Sequence, residues 1–262
     1  MKKAQSRLGR KYGHVCDRKD KRDHVYCAPY RFRAEALPLK VSCEEHMPDA
    51  FDQGSLGSCG GQAVAAMIQR QRRIVRKMDF TPSRLMLYYN ARAQEGTVHE
   101  DAGCMIRDVV KMATERGACP EAMWPYEIQY YADSPPKPCE EEAMNWQILS
   151  YTRVNQTLDQ MRSCLAHIGS FVIGIQIFES FESREVAATG IVPMPKRGWW
   201  RGEPKLGGHA VCICGYNDVS QVFTGQNSWG QRWGKNGRFT LPYEYLLDPD
   251  LASDAWVSQE VE

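Results

Sequence analysis

Gln53-Gly-Ser-Leu-Gly-Ser-Cys59-Gly-Gly61 is a run of turn formers that stops where a helical period starts. Ala63, Val64, Met67, Ile68, Ile74 and Val75 recur at helical intervals as far as Lys77, so a loop delivers Cys59 to a helix N-terminus. Unpaired N–H groups and the positive end of the helix dipole favour an anion there, which raises the thiolate fraction of a cysteine. The same geometry offers the Cys59 amide to a developing oxyanion, and Gln53, six residues upstream, can add a second donor from its side chain. Glycines at 54, 57, 60 and 61 let a substrate come close.

Two distant segments supply what such a thiol needs. In Gly207-Gly208-His209-Ala-Val a histidine opens an apolar strand, and an imidazole titrates near neutrality, so it can take a proton and return it. In Gln226-Asn227-Ser-Trp229-Gly230 an amide oxygen can accept from the imidazole N–H and fix its tautomer, while the indole shields that bond from water. Cys59 alone reads as a core thiol, and His209 alone as a core or capping histidine. Together with Gln53 and Asn227 they read as a site.

The ensemble resembles the papain-like cysteine peptidases, in a divergent branch of the kind found in microbes and viruses. The order and spacing fit, with 150 residues from Cys59 to His209 and 18 from His209 to Asn227. The resemblance spans about Pro48 to about Pro242 and includes the run from Cys119-Pro-Glu to Trp124-Pro-Tyr126. It implies an α+β fold of two lobes, with a helical N-terminal lobe at about 45–138, an antiparallel β-rich C-terminal lobe at about 139–262, and the site in the cleft between. It further implies peptide hydrolysis with Cys59 as nucleophile, His209 as base, Asn227 as orienting amide and Gln53 as oxyanion donor. Substrate contacts are expected from Gly103, Cys104, Gly208, Trp229 and Trp199, with no metal or cofactor. Gly60 stands where the family has an aromatic residue, Leu56 where it often has a disulfide cysteine, and Asp101-Ala-Gly103-Cys104 is a degraded form of its substrate-binding run. Rival readings are an acyl transferase that passes the same acyl-enzyme to an amine, and a silent homologue that binds peptides.

The remaining sequence sets the frame. The 262 residues carry 33 Lys and Arg against 32 Asp and Glu, a formal charge of +1 that gives no bias toward nucleic acid. No apolar stretch has the length of a membrane span, and the start lacks a signal-peptide core. A monomer acting on a peptide or protein substrate is expected, with no nucleic-acid or membrane partner, located in the cytoplasm or associated with a virion or host cell. The ten cysteines read as mostly reduced small hydrophobes.

Residues 1–35 show no period and read as an arm, propeptide-like, with Tyr12, His14, Tyr26 and Tyr30 as candidate cleft anchors. His24, His46, His99 and His167 read as surface or structural residues, as His14 does apart from its place on the arm. Thr81-Pro82 reads as the start of a second helix ending at Gly96, and a third is expected from Gly103 to Arg116. Pro135-Pro-Lys-Pro138 marks the expected lobe boundary. Beyond it, 171–178, 209–214, 221–227 and 237–241 read as strands, with a helix over 158–167. Arg70, Arg72, Arg73, Arg76 and Lys77 read as a solvated helix face. Trp199-Trp200 reads either as an aromatic substrate wall or as a loop clamped over the lobe.

Overall fold

The structure, a computed structural model, describes residues 9–28, 37–198 and 202–259. The arm lies extended and forms strand β1 (His14–Val15), and β2 (Lys40–Ser42) leads into the body. Helices α1 (Cys59–Val75) and α2 (Arg84–Glu95) follow, then strand β3 (Cys104–Met105), α3 (Ile106–Glu115) and the short α4 (Lys137–Ala143). The second half comprises β4 (Ser150–Arg153), α5 (Leu158–His167), β5 (Phe171–Phe178), α6 (Arg184–Thr189), β6 (Lys205–Asn217), β7 (Val222–Gln226), β8 (Arg238–Pro242), α7 (Tyr243–Leu247) and β9 (Ala252–Gln259).

An antiparallel sheet runs in the order β4-β9-β5-β6-β7-β8, with β2 also paired to β6. β1 pairs with β3 in parallel, apart from that sheet, so the arm is stitched to the helical lobe. One apolar core fills the helical lobe and reaches Val172, Ala210, Cys212 and Trp256 of the sheet. The second core lies across the other face of the sheet.

Because α1 runs through the middle of the molecule, every residue from Cys59 to Arg72 is buried. The basic run at its end is therefore not a solvated face throughout, for Arg70 and Arg72 are buried. Arg70 donates to the Ile168 carbonyl at 2.8 Å and Arg72 to the Trp146 carbonyl at 2.7 Å, with the Arg72 guanidinium over the Phe80 ring. Backbone acceptors and an aromatic face replace water around each charge.

The second helix starts later than Thr81-Pro82 suggests. Ser83 is its cap, accepting from the Met86 amide at 3.2 Å, and Gly96 closes it at φ +75°. The third helix begins at Ile106, since Cys104 and Met105 are drawn into pairing with the arm. The proline-rich run opens α4, whose Cys139 and Ala143 belong to the helical core, so the helical lobe continues past Pro138 to Ile148. Pro138 fits there because the first turn of a helix needs no N–H from it. Among the described residues the cysteines form no disulfide.

The Ser83 hydroxyl also donates to the Trp124 carbonyl at 2.8 Å in a buried setting, so Ser83→Ala strands two groups at once. We expect it to lower unfolding free energy by about 1–3 kcal/mol, read from urea denaturation, with Ser83→Thr recovering most of the loss.

Candidate active site

Cys59 stands at the first turn of α1 and His209 near the start of β6, both without solvent exposure. His209 Nε2–H donates to Asn227 Oδ1 at 2.8 Å. The Ser228 amide donates to that same oxygen at 2.8 Å, which fixes which way the Asn227 amide points. The tautomer follows: the proton is on Nε2, and Nδ1, buried and without a hydrogen-bond partner among the described residues, is left as a base. The backbones of Ala210, Gly13 and Gly60, and that of Cys59 itself, lie around the sulfur and favour its charged form. Ala210 is the residue after His209, so the thiol lies beside the backbone that carries the imidazole. Trp229 packs against the His209 ring, centroids 5.2 Å apart, and excludes water from the Asn227 bond.

Gln53 Oε1 accepts from the Ser228 hydroxyl at 2.7 Å, and this turns its Nε2 toward the cleft. There Nε2 donates to the Leu56 carbonyl at 2.8 Å and to the Lys11 carbonyl at 3.2 Å. Gln53, Cys59, His209 and Asn227, more than 150 residues apart at their extremes, are thus brought together. Residues 40–247 match the family described as papain family cysteine protease.

The chain belongs to the papain family of cysteine peptidases. An uncharacterised peptidase C1-like protein of Acanthamoeba polyphaga mimivirus is 35% identical to it, over 98% of this chain and 89% of that one. Xylellain, a cysteine protease from Xylella fastidiosa, is 36% identical with a TM-score of 0.86 and 99% of each chain covered. Procathepsin L 3 of Tenebrio molitor, at 15% identity, shares the fold with a TM-score of 0.72, covering 98% of this chain and 76% of that one. The fold is papain-like α+β, as the sequence resemblance implies.

In this peptidase the cleft is filled by its own arm. The Cys104 amide donates to the Gly13 carbonyl at 2.8 Å, and a Cβ on Gly103 would meet that same oxygen at 2.2 Å. A Cβ on Gly208 would come within 2.7 Å of the His14 carbonyl. Trp229 lies under the Arg10 guanidinium, 5.1 Å from its ring centroid, and beside Tyr12. Gly103, Cys104, Gly208 and Trp229 therefore line the arm's path, whereas Trp199 lies outside the described residues.

Of the candidate anchors, Tyr12 and His14 enter the cleft. Tyr26 does not: its amide donates to the Arg153 carbonyl at 2.8 Å and its ring joins the sheet core. Tyr30 lies outside the described residues. His14 is no surface residue, since its ring is closed off and its Nε2 lies 3.1 Å from Asp254 Oδ2. Farther along, Arg153 clasps the arm through Asp17 and Asp23, each at 3.1 Å. Sequence reasoning missed Asp101, Glu182 and Asp254 as arm partners, and the role of Gly13.

Covering the cleft changes its chemistry. Burial pushes the Cys59 thiol up from its ordinary value, against the pull of the surrounding backbone. Burial also pushes the His209 imidazole down to about 4, against the opposing hydrogen bond to Asn227. Both groups are neutral at pH 7 in this state, and a neutral thiol is a poor nucleophile.

A Cβ on Gly13 would fall 1.7 Å from the Gly57 carbonyl oxygen, a backbone atom, so Gly13→Val displaces the arm. Iodoacetamide labelling of Cys59 at pH 7, mapped by mass spectrometry, is expected to speed up at least about tenfold in that variant, the factor given by ~1.4 kcal/mol of lost docking. In the wild-type chain the labelling rate should keep rising with pH above the ordinary thiol range. Equal rates in the two proteins would contradict the burial of Cys59 by the arm.

Proposed function

We propose that this chain hydrolyses peptide bonds through a thioester on Cys59. His209 Nδ1 takes the thiol proton, the thiolate attacks the carbonyl carbon, and the oxyanion is met by Gln53 Nε2 and the Cys59 amide. The imidazolium gives its proton to the leaving amine, the thioester remains, and water activated by His209 hydrolyses it. Asn227 holds the ring throughout. The observation that carries this reading is His209 Nδ1, without a hydrogen-bond partner among the described residues, with Nε2 committed to Asn227 and the sulfur beside the following residue's backbone.

We also propose that residues 9–16 hold this machinery idle. In a productive complex one carbonyl gives its oxygen to Gln53 and its carbon to the sulfur. Here Gln53 meets the Lys11 carbonyl while the sulfur lies beside the Gly13 backbone, two residues on. The arm thus occupies the donor that a substrate carbonyl would need, and we propose that it does so uncut.

In the Gly13→Val background, Cys59→Ala and His209→Ala should each abolish hydrolysis of a fluorogenic peptide, and the double change should be no worse than either alone, because the two act as one unit. Near-parental turnover by Cys59→Ser would contradict the assignment. Products analysed with and without an added amine separate hydrolysis from acyl transfer.

Gln53→Ala in the same background should lower kcat by about 10² to 10³ with KM little changed. A change confined to KM would move Gln53 from oxyanion stabilisation to substrate binding.

A further inference from the structure

We propose that the cleft selects cationic peptides, since four arm side chains, those of Arg10, Lys11, Tyr12 and His14, each end on a carboxylate of the body. This deepens the reading above and rests on it for turnover alone. Arg10 lies 3.2 Å from Asp52, Lys11 Nζ 2.8 Å from Asp101, and His14 Nε2 3.1 Å from Asp254, while the Tyr12 hydroxyl donates to Glu182. The carboxylates come from separate parts of the fold: the loop before α1, the loop before β3, the turn after β5, and β9. With a formal charge of only +1 on the whole chain, this acidity is local.

Two of the carboxylates are nearly closed off from solvent. The Asp101 side chain is 7% exposed, and the Gly57 amide at 3.0 Å and the Tyr88 hydroxyl at 2.6 Å aim it at Lys11. Asp254, 8% exposed, adopts φ +60° where the register between β5 and β9 shifts. A non-glycine residue held in that conformation is strained and persists where its surroundings require it. Here it turns the carboxylate toward His14.

The pocket around His14 is shaped for an entering side chain. A Cβ on Gly174 would fall 2.1 Å from the His14 ring, so Gly174 and Gly208 make room and Asp254 closes the far end. When the arm leaves, Asp101 loses Lys11 and Asp254 loses His14. Arg153 remains at 3.4 Å from the other Asp254 oxygen, Oδ1, and the Ser253 hydroxyl still donates to Oδ2 at 2.9 Å, so Oδ2 loses only its imidazole partner on the pocket side. A shielded carboxylate stripped of its partner is unfavourable, and an incoming Lys or Arg restores the balance. A Glu in the same place adds like charge.

The test uses the full chain carrying Gly13→Val and one internally quenched peptide in Lys-, Gln- and Glu-substituted versions. The Lys version is expected to exceed the Gln version in kcat/KM by about tenfold or more, with the Glu version lowest and the spread shrinking as salt is added. Asp101→Asn and Asp254→Asn should each pull the Lys-to-Gln ratio toward one, and Glu141→Gln, at an exposed position of α4, should not. Urea midpoints check that each variant is folded, with Glu182→Gln as the alternative if one is not. Equal kcat/KM for the three peptides, a preference for the Glu version, or a ratio that none of the folded acid variants moves would overturn the proposal. Anisotropy with labelled versions and the Cys59→Ala, Gly13→Val chain separates the two readings. Charge-ordered binding without turnover in the parent contradicts hydrolysis and supports cationic selection, whereas turnover and binding without charge order do the reverse.

Discussion

The Gly13 backbone lies beside the Cys59 thiol because glycines let two backbones touch. A Cβ on Gly13 would sit 1.7 Å from the Gly57 oxygen, and one on Gly103 would sit 2.2 Å from the Gly13 oxygen. With no side chains in the way, the Gly13 carbonyl takes the Cys104 amide, the Lys11 carbonyl takes Gln53, and the next side chains fall alternately on the two walls. The low exposure of Cys59 and His209, and hence their neutral state, depends on this contact.

The proposed catalytic groups are legible in the sequence because each sits at an element end that the sequence itself announces. Gln53 to Gly61 is turn chemistry ahead of a periodic helix, and Gly207-Gly208 precedes an apolar strand. Even the departures have a physical reading. Gly60 can replace an aromatic residue because Cys104 Sγ lies 3.1 Å from where its Cβ would be and Val109 lies 3.4 Å away, so the space is already filled.

The arm's course is far less legible. An extended strap has no period, and its contacts are with residues remote in the chain: His14 and Asp254 are separated by 240 positions. Asp101 and Asp254 look like ordinary surface acids until the fold closes around them. The same limit explains Arg70 and Arg72, whose carbonyl acceptors at Ile168 and Trp146 lie on other elements. At Pro135 to Pro138 the prolines open α4, whose Cys139 and Ala143 pack into the helical core, a contact that the local sequence does not show.

The central claim is that the arm and a substrate compete for one cleft. Its most direct test adds a synthetic peptide of residues 9–24 to the Gly13→Val chain while a fluorogenic peptide is turned over. A free segment lacks the advantage of its tether, so concentrations of order mM are appropriate. The account predicts inhibition that rises with added segment, is relieved by more substrate, and leaves the segment intact by mass spectrometry. Turnover indifferent to the segment, or a segment cut between Lys11 and Tyr12, would contradict it.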